Sequence, residues 1–177
     1  GNFDGVHLGH RTLLAEITRL SAAHGTAPAV STFADSPKNG ENIYGYDERR
    51  RLLSDCGMEI CLSLYYLRVC GMRGEEFFAL LTDLYDVRDI VCGENYTFGS
   101  DRCDVGKLGE LCWAKGISLT VMPLYDYCGV RVSSTAVKTF LRTGDVDAAK
   151  KLLGMPYHIR GTVESGDGRG HRIGMPT

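Results

Sequence analysis

His7 and His10 stand three residues apart in the opening run GNFDGVHLGH, with Gly9 between them and Asp4 just upstream. If a helix starts here, both imidazoles fall near its first turn, on neighbouring faces. The first N–H groups of a helix have no intrahelical acceptor, and the macrodipole favours negative charge beside them. Gly9 carries no side chain, so a phosphate can approach the backbone while the imidazoles reach it from either side. Such an arrangement suits chemistry in which negative charge builds up on phosphorus and has to be stabilised. Two histidines at this spacing also serve as caps, as surface residues or as a fortuitous metal site, and the run alone does not separate these uses.

Ser133, Ser134 and Thr135, in VSSTAVK, have the same character: hydroxyls and N–H groups at a helix start make an anion site, or simply a cap. The glycine-marked loop GENYTFGSDRCDVG holds Asn95, Tyr96 and Phe98. It reads as a ligand-contacting loop or as a surface loop, with its aromatic residues as core anchors. Arg49, Arg50 and Arg51 form a charge run expected on a solvated helix face, His24 is expected at a helix end, and Trp113 in the core.

The elements that must position these residues alternate along the chain. GHRTLLAEITRLSAAH places Leu13, Leu14, Ile17 and Leu20 on one helical face, and Gly25 ends it. APAVSTF then predicts a buried strand ending at Phe33. DERRRLLSDCG predicts a helix capped by Asp47, MEICLSLYYL a strand, GEEFFALLTDLY a helix and DIVCG a buried strand. KLGELCWAKG and SLTVMP continue the alternation, and two short helices follow, broken at Gly144-Asp145. This order predicts an α/β fold, a Rossmann-like parallel sheet with helices on both faces and ligands beyond the carboxyl ends of its strands. After Met155-Pro156 the chain turns glycine-rich with β-like alternation, so a boundary is placed near residue 156, between a domain over 1–156 and a second segment over 157–177.

At 177 residues, 44% hydrophobic and 24% charged, the composition is that of an ordinary globular chain with room for a real core. The net charge of −2 lacks the basic excess that a nucleic-acid partner would bring. The seven cysteines are odd in number and include no C-x-x-C pair, so they are read as reduced thiols acting as small hydrophobes in a cytoplasmic protein. No apolar run approaches the length of a membrane span, and no membrane partner is expected.

GNFDGVHLGH resembles the H-x-G-H signature of the nucleotidyltransferase superfamily, and in its extended form the adenylyltransferase module of bacterial bifunctional FAD synthetases. Three further segments match in order. VCGENYTFGSDRCDVG resembles that family's G-x-[DN]-F-x-F-G loop, VSSTAVK its S-S-T-x-x-R motif, and GTVESGDGRGHRIGMPT the opening of its riboflavin kinase module, a small β-barrel. The resemblance implies a nucleotidyltransferase fold and transfer of AMP from ATP to FMN, giving FAD and pyrophosphate with Mg²⁺ on the phosphate oxygens. It implies that His7 and His10 hold the ATP phosphates and stabilise the transition state. Asn2, Phe3, Asp4, Gly9, Ser133, Ser134, Thr135 and Lys138 would complete the ATP site, and Asn95 and Phe98 would contact substrate. The partners implied are small molecules, with no assembly state indicated.

The sequence departs from the family pattern at three places. Lys138 stands where the S-S-T-x-x-R motif has Arg, which keeps the charge but not the bidentate fork. Asp35 and Ser36 stand where Pro and His of an F-x-P-H-P segment would fall, and the phenylalanine-acid pair after the next strand is not recognisable in LYYLRVCGM. Only Gly1-Asn2-Phe3 precede Asp4, too few for the central strand that leads into the H-x-G-H helix, so a longer parent chain is expected. The kinase-like part stops at Thr177, whose hydroxyl would help hold metal in that family, and no riboflavin phosphorylation is expected without the remaining barrel. Two other readings stay open: another nucleotidyltransferase with a different phosphorylated acceptor, and a nucleotide- or flavin-binding protein without catalysis.

Overall fold

In the computed structural model, which describes residues 1–35, 41–164 and 174, helix α1 (Leu8–His24) comes first. Its inner face buries Leu14 completely, and Gly25, at φ 67°, closes it with a left-handed cap. Strand β1 (Ala29–Phe33) follows, then α2 (Tyr46–Asp55) and β2 (Ile60–Leu64), which pairs with β1 in parallel. After the single turn α3 (Tyr66–Val69) and the helix α4 (Gly74–Leu84), β3 (Asp89–Gly93), α5 (Val105–Ala114) and β4 (Ser118–Met122) repeat the unit, β3 and β4 again parallel. A short hairpin, β5 (Asp126–Tyr127) and β6 (Val130–Arg131), leads into α6 (Ser134–Arg142) and α7 (Val146–Leu153).

Each parallel pair has its own core. Val30 of β1 packs with Leu14, Leu53, Val137 and Leu153, whereas Cys92 of β3 packs with Phe78, Phe98, Leu108 and Cys112. Helix α1 packs against β3, and at its end His24 Nδ1 lies 2.6 Å from Asp89 Oδ2. Among the described residues the strands form three separate two-stranded sheets rather than one continuous sheet. Among the described residues no strand bridges the two parallel pairs, and both pairs line one cavity. Residues 1–3 form no strand, although the Gly1 amino group donates to the Ser31 carbonyl at 2.9 Å, alongside β1.

Several elements depart from expectation. Tyr66–Val69 is helical, not the continuation of a strand, because Asp35 Oδ1 accepts the Tyr66 N–H at 2.7 Å and starts a turn there. Gly45, not Asp47, is the N-cap of α2, and Asp47 lies in the first turn. Trp113 is 86% exposed; Leu108 and Cys112 occupy the inner face of α5, which leaves its neighbour in sequence pointing outward. Arg49 is buried rather than solvated, because the carbonyl oxygens of Asn2 and Phe33 converge on its guanidinium. The β5–β6 hairpin is too short for a two-residue alternation to register; its turn is set by Cys128 and Gly129 at φ 50° and 78°. All seven cysteines are free, with Cys92 and Cys112 buried. Residues 157–164 contain no strand; the rest of the expected barrel opening, with Thr177, and the Ser36 departure lie outside the described residues.

Candidate active site

The loop before α1 is wound tightly. Phe3, Gly5 and Val6 have φ of 49°, 85° and 41°, a conformation that strains a β-branched residue such as Val6 by about 1–3 kcal/mol. Its surroundings hold it there. Val6 is fully buried, its carbonyl accepts from Arg11 Nε at 3.1 Å, and a Cβ on Gly5 would meet Ile43 Cδ1 at 2.8 Å. The loop delivers His7 as the N-cap of α1, where His7 Nδ1 accepts the His10 backbone N–H at 3.3 Å.

The His7 carbonyl accepts the same N–H at 2.8 Å, and the ring's share of it favours one tautomer. With Nδ1 as acceptor, neutral His7 carries its proton on Nε2. Burial brings the His7 imidazole down to about 4 despite the opposing influence of Asp4. Burial, with His7 alongside, also holds His10 well below the usual histidine range. The two rings stack with centroids 3.6 Å apart and planes 16° from parallel, which neutral imidazoles tolerate and two cations would not. Phe3 closes the other side, its ring centroid 5.0 Å from that of His10. His10 Nδ1 is buried with no hydrogen-bond partner among the described residues.

Helix α6 docks onto this loop. Ser133 is its N-cap, with Oγ accepting the Ala136 N–H at 3.2 Å, and Ser134 Oγ donates to the Asp4 carbonyl at 2.8 Å. Asp4 is buried: its Oδ1 accepts the Ile43 N–H at 2.8 Å and its Oδ2 pairs with Lys138 Nζ at 2.6 Å. Lys138 is thus spent on Asp4, Ser133 acts as a cap, and Ser134 joins the two motifs.

A cavity of about 900 Å³ opens beside the stacked imidazoles. Asn2, Phe3, His7, Gly9 and His10 line it on one side, Ser133 and Ser134 on another, and Asn95 and Phe98 on a third. Asp4, Thr135 and Lys138 do not line it, and Thr135 is exposed on α6. Phe98 is also a core residue, stacked on Tyr96, whose phenol burial pushes up to about 12. Sequence reasoning missed Tyr125 and Arg131, which line the cavity from the hairpin, Arg131 being paired with Asp126. The one signal for Arg131 is its place two residues before Ser133.

No group of three or more His, Cys, Asp or Glu among the described residues could hold a metal ion. Asp4, the carboxylate nearest the histidines in sequence, is taken up by Lys138 and Ile43. The described residues therefore do not fit a protein-held Mg²⁺.

A family model described as FAD synthetase matches residues 1–136. The chain belongs to the FAD synthetase family. An FAD synthetase from Listeria monocytogenes is 32% identical over 178 residues, covering 94% of this chain and 72% of that protein. A bifunctional riboflavin kinase/FMN adenylyltransferase from Escherichia coli K12 is 32% identical over the whole of this chain and 60% of its own length. The chain therefore spans about three-fifths of the bifunctional relatives it matches. The fold is shared with a crystal structure described as a macrolide-efflux protein from Streptococcus pneumoniae, at TM-score 0.87 and 30% identity over 99% of this chain and 60% of that one. No helix among the described residues is long and apolar enough to cross a membrane. Parallel strand pairs with interleaved helices fit the nucleotidyltransferase-like α/β fold expected of this family.

Proposed function

We propose that this chain transfers AMP from ATP to FMN, forming FAD and pyrophosphate. The observation that carries the reading is the pair of stacked, neutral imidazoles at the start of α1, opening on a cavity shared with Ser133, Ser134 and Asn95. An FMN phosphate oxygen forms the new bond to the α-phosphorus as the bond to the pyrophosphate oxygen breaks; no proton has to be removed from a phosphate that is already ionised. Catalysis then rests on positioning and on donors aimed at the charge that develops. His7 Nε2–H is such a donor, and because the ring is neutral it needs no counter-ion in the buried site. His10, held between His7 and Phe3, presents a second edge to the same phosphates. The part of the cavity beside the imidazoles is also lined by Ser133, Ser134 and Asn95, so the two substrates would meet there. Mg²⁺ would enter with ATP, as part of the substrate rather than as an ion held by the described residues. The division into an adenylyl-transferring unit over 1–156 and a second segment over 157–177 is part of it too, supported by the end of α7 at Leu153.

Chromatographic detection of FAD from FMN, ATP and Mg²⁺ tests the reading. FAD is expected from the purified chain, with a loss of about a hundredfold or more in His10→Ala. No FAD from protein that melts cooperatively, or full activity in His10→Ala, would overturn it.

A further inference from the structure

Arg49 is the largest fully buried side chain among the described residues, 1% exposed, and there no carboxylate pairs with it directly, Asp4 acting on it only from further away. A buried cation without a counter-ion is costly unless polar groups converge on it. Among the described residues the hydrogen bonds come from two segments, Nε has no partner, and the Tyr46 ring lies 5.8 Å from Cζ. Nη1 donates to the Asn2 carbonyl at 2.5 Å and to Asn2 Oδ1 at 3.0 Å, with Thr32 Oγ1 at 3.3 Å, while Nη2 donates to the Phe33 carbonyl at 2.9 Å. Thr32, fully buried, adds a second donor to the Asn2 carbonyl at 3.2 Å. One guanidinium therefore ties the end of β1 to the residue immediately before Phe3.

The tie matters because Asn2 leads directly into the catalytic loop. Phe3 sits at positive φ with its ring against His10, and the strained loop continues through Gly5 and Val6 to His7. Arg49 itself does not line the cavity, so it cannot reach substrate. Its planar fork can, however, hold two backbone carbonyls at a fixed separation, which a single ammonium cannot do. We propose that Arg49 is a positioning residue: through Asn2 and Phe3 it sets the orientation of the His10 imidazole in the catalytic cavity. The inference rests on the adenylyl-transfer reading for its kinetic consequence, but not for its structural one.

Arg49→Lys keeps the charge and loses the fork. In wild-type chain labelled with ¹⁵N-histidine, the ring resonances of His10 are expected to be single and sharp; in Arg49→Lys they shift or broaden, while those of His24, remote from Asn2, stay in place. If the wild-type chain makes FAD, kcat in Arg49→Lys is expected to fall roughly ten- to a hundredfold while KM for ATP changes less than about threefold, as a small misplacement of a catalytic group predicts. Unchanged His10 resonances overturn the proposal whatever the activity. A lower melting temperature with unchanged His10 resonances and kcat also overturns it, leaving a purely structural role. Should Arg49→Lys fail to fold, Thr32→Val removes one donor to the same carbonyl without changing the side-chain shape. The same His10 shift, smaller in size, is expected there, and its absence overturns the proposal. A wild-type chain that makes no FAD refutes the reaction and leaves the resonance test standing.

Discussion

Lys138 Nζ lies 2.6 Å from Asp4 Oδ2, across the junction between α6 and the loop that carries His7. The carboxylate side chain is 4% exposed and the ammonium side chain 27%, so the pair is buried on the acid's side and partly hydrated on the base's. The charge that replaces the family's Arg is therefore directed at the loop and not at the cavity, and the fork lost with Arg matters less than a phosphate contact would. Ser134, four residues before Lys138 on α6, reaches the carbonyl of the same Asp4, so one helix grips one residue twice.

Removing either partner should expose this coupling. Lys138→Met leaves a buried carboxylate unpaired and is expected to destabilise the fold by about 3 kcal/mol, the low end for a buried pair because the ammonium is partly hydrated. Asp4→Asn should cost less, and the double variant should recover much of the loss. Denaturant unfolding of the four proteins measures it, and strictly additive changes would show that the two side chains are not coupled. Lys138→Arg should leave turnover unchanged or raise it.

Stability should fall in mild acid because His7 is buried neutral. Its folded value of about 4 lies below the ordinary 6.5, so between those limits the unfolded chain binds the extra proton. The stabilising contribution is complete above pH 6.5 and is lost as pH falls towards 4, with a slope of at most about 1.4 kcal/mol per pH unit for one proton. His10, shifted the same way, steepens the decline. Denaturation midpoints between pH 7 and 4 check this, and His7→Gln should give the shallower curve; equal slopes would mean that His7 is accessible to protonation in the folded state.

Helices with strong periodicity were legible in the sequence: α1 and the α6–α7 pair fall within a residue or two of their expected bounds, and DIVCG is β3 to the residue. The shared cavity brings together His7, His10, Ser133, Ser134 and Asn95, residues far apart in the chain that motif order alone associates. What escaped was tertiary in origin. Nothing in the triplet Arg49-Arg50-Arg51 says which guanidinium turns inward, since that depends on where Asn2 and Phe33 place their carbonyls. Asp4 and Lys138 carry charges that suit phosphate binding, and only packing shows that they satisfy each other. Trp113 obeys the same rule in reverse: its exposure is decided by the helical phase of Leu108 and Cys112.

Gly9 offers a test of where phosphate binds that does not depend on the histidines. A Cβ built there would lie 3.4 Å from His7 Cε1 and 3.5 Å from Tyr125 Cβ, ordinary contact distances that demand no rearrangement. Its backbone is already helical within α1, where alanine is the better helix former, by up to about 1 kcal/mol in a helix interior. Gly9→Ala should therefore melt at or slightly above the wild-type temperature. The added methyl nevertheless stands against His7 and Tyr125 on the cavity lining, so a phosphate held beside Gly9 must withdraw, and ATP affinity measured by calorimetry should drop about tenfold or more. Unchanged ATP affinity in a stable Gly9→Ala would place the phosphates away from the start of α1, and a marked loss of stability would mean that the glycine serves packing against His7 instead.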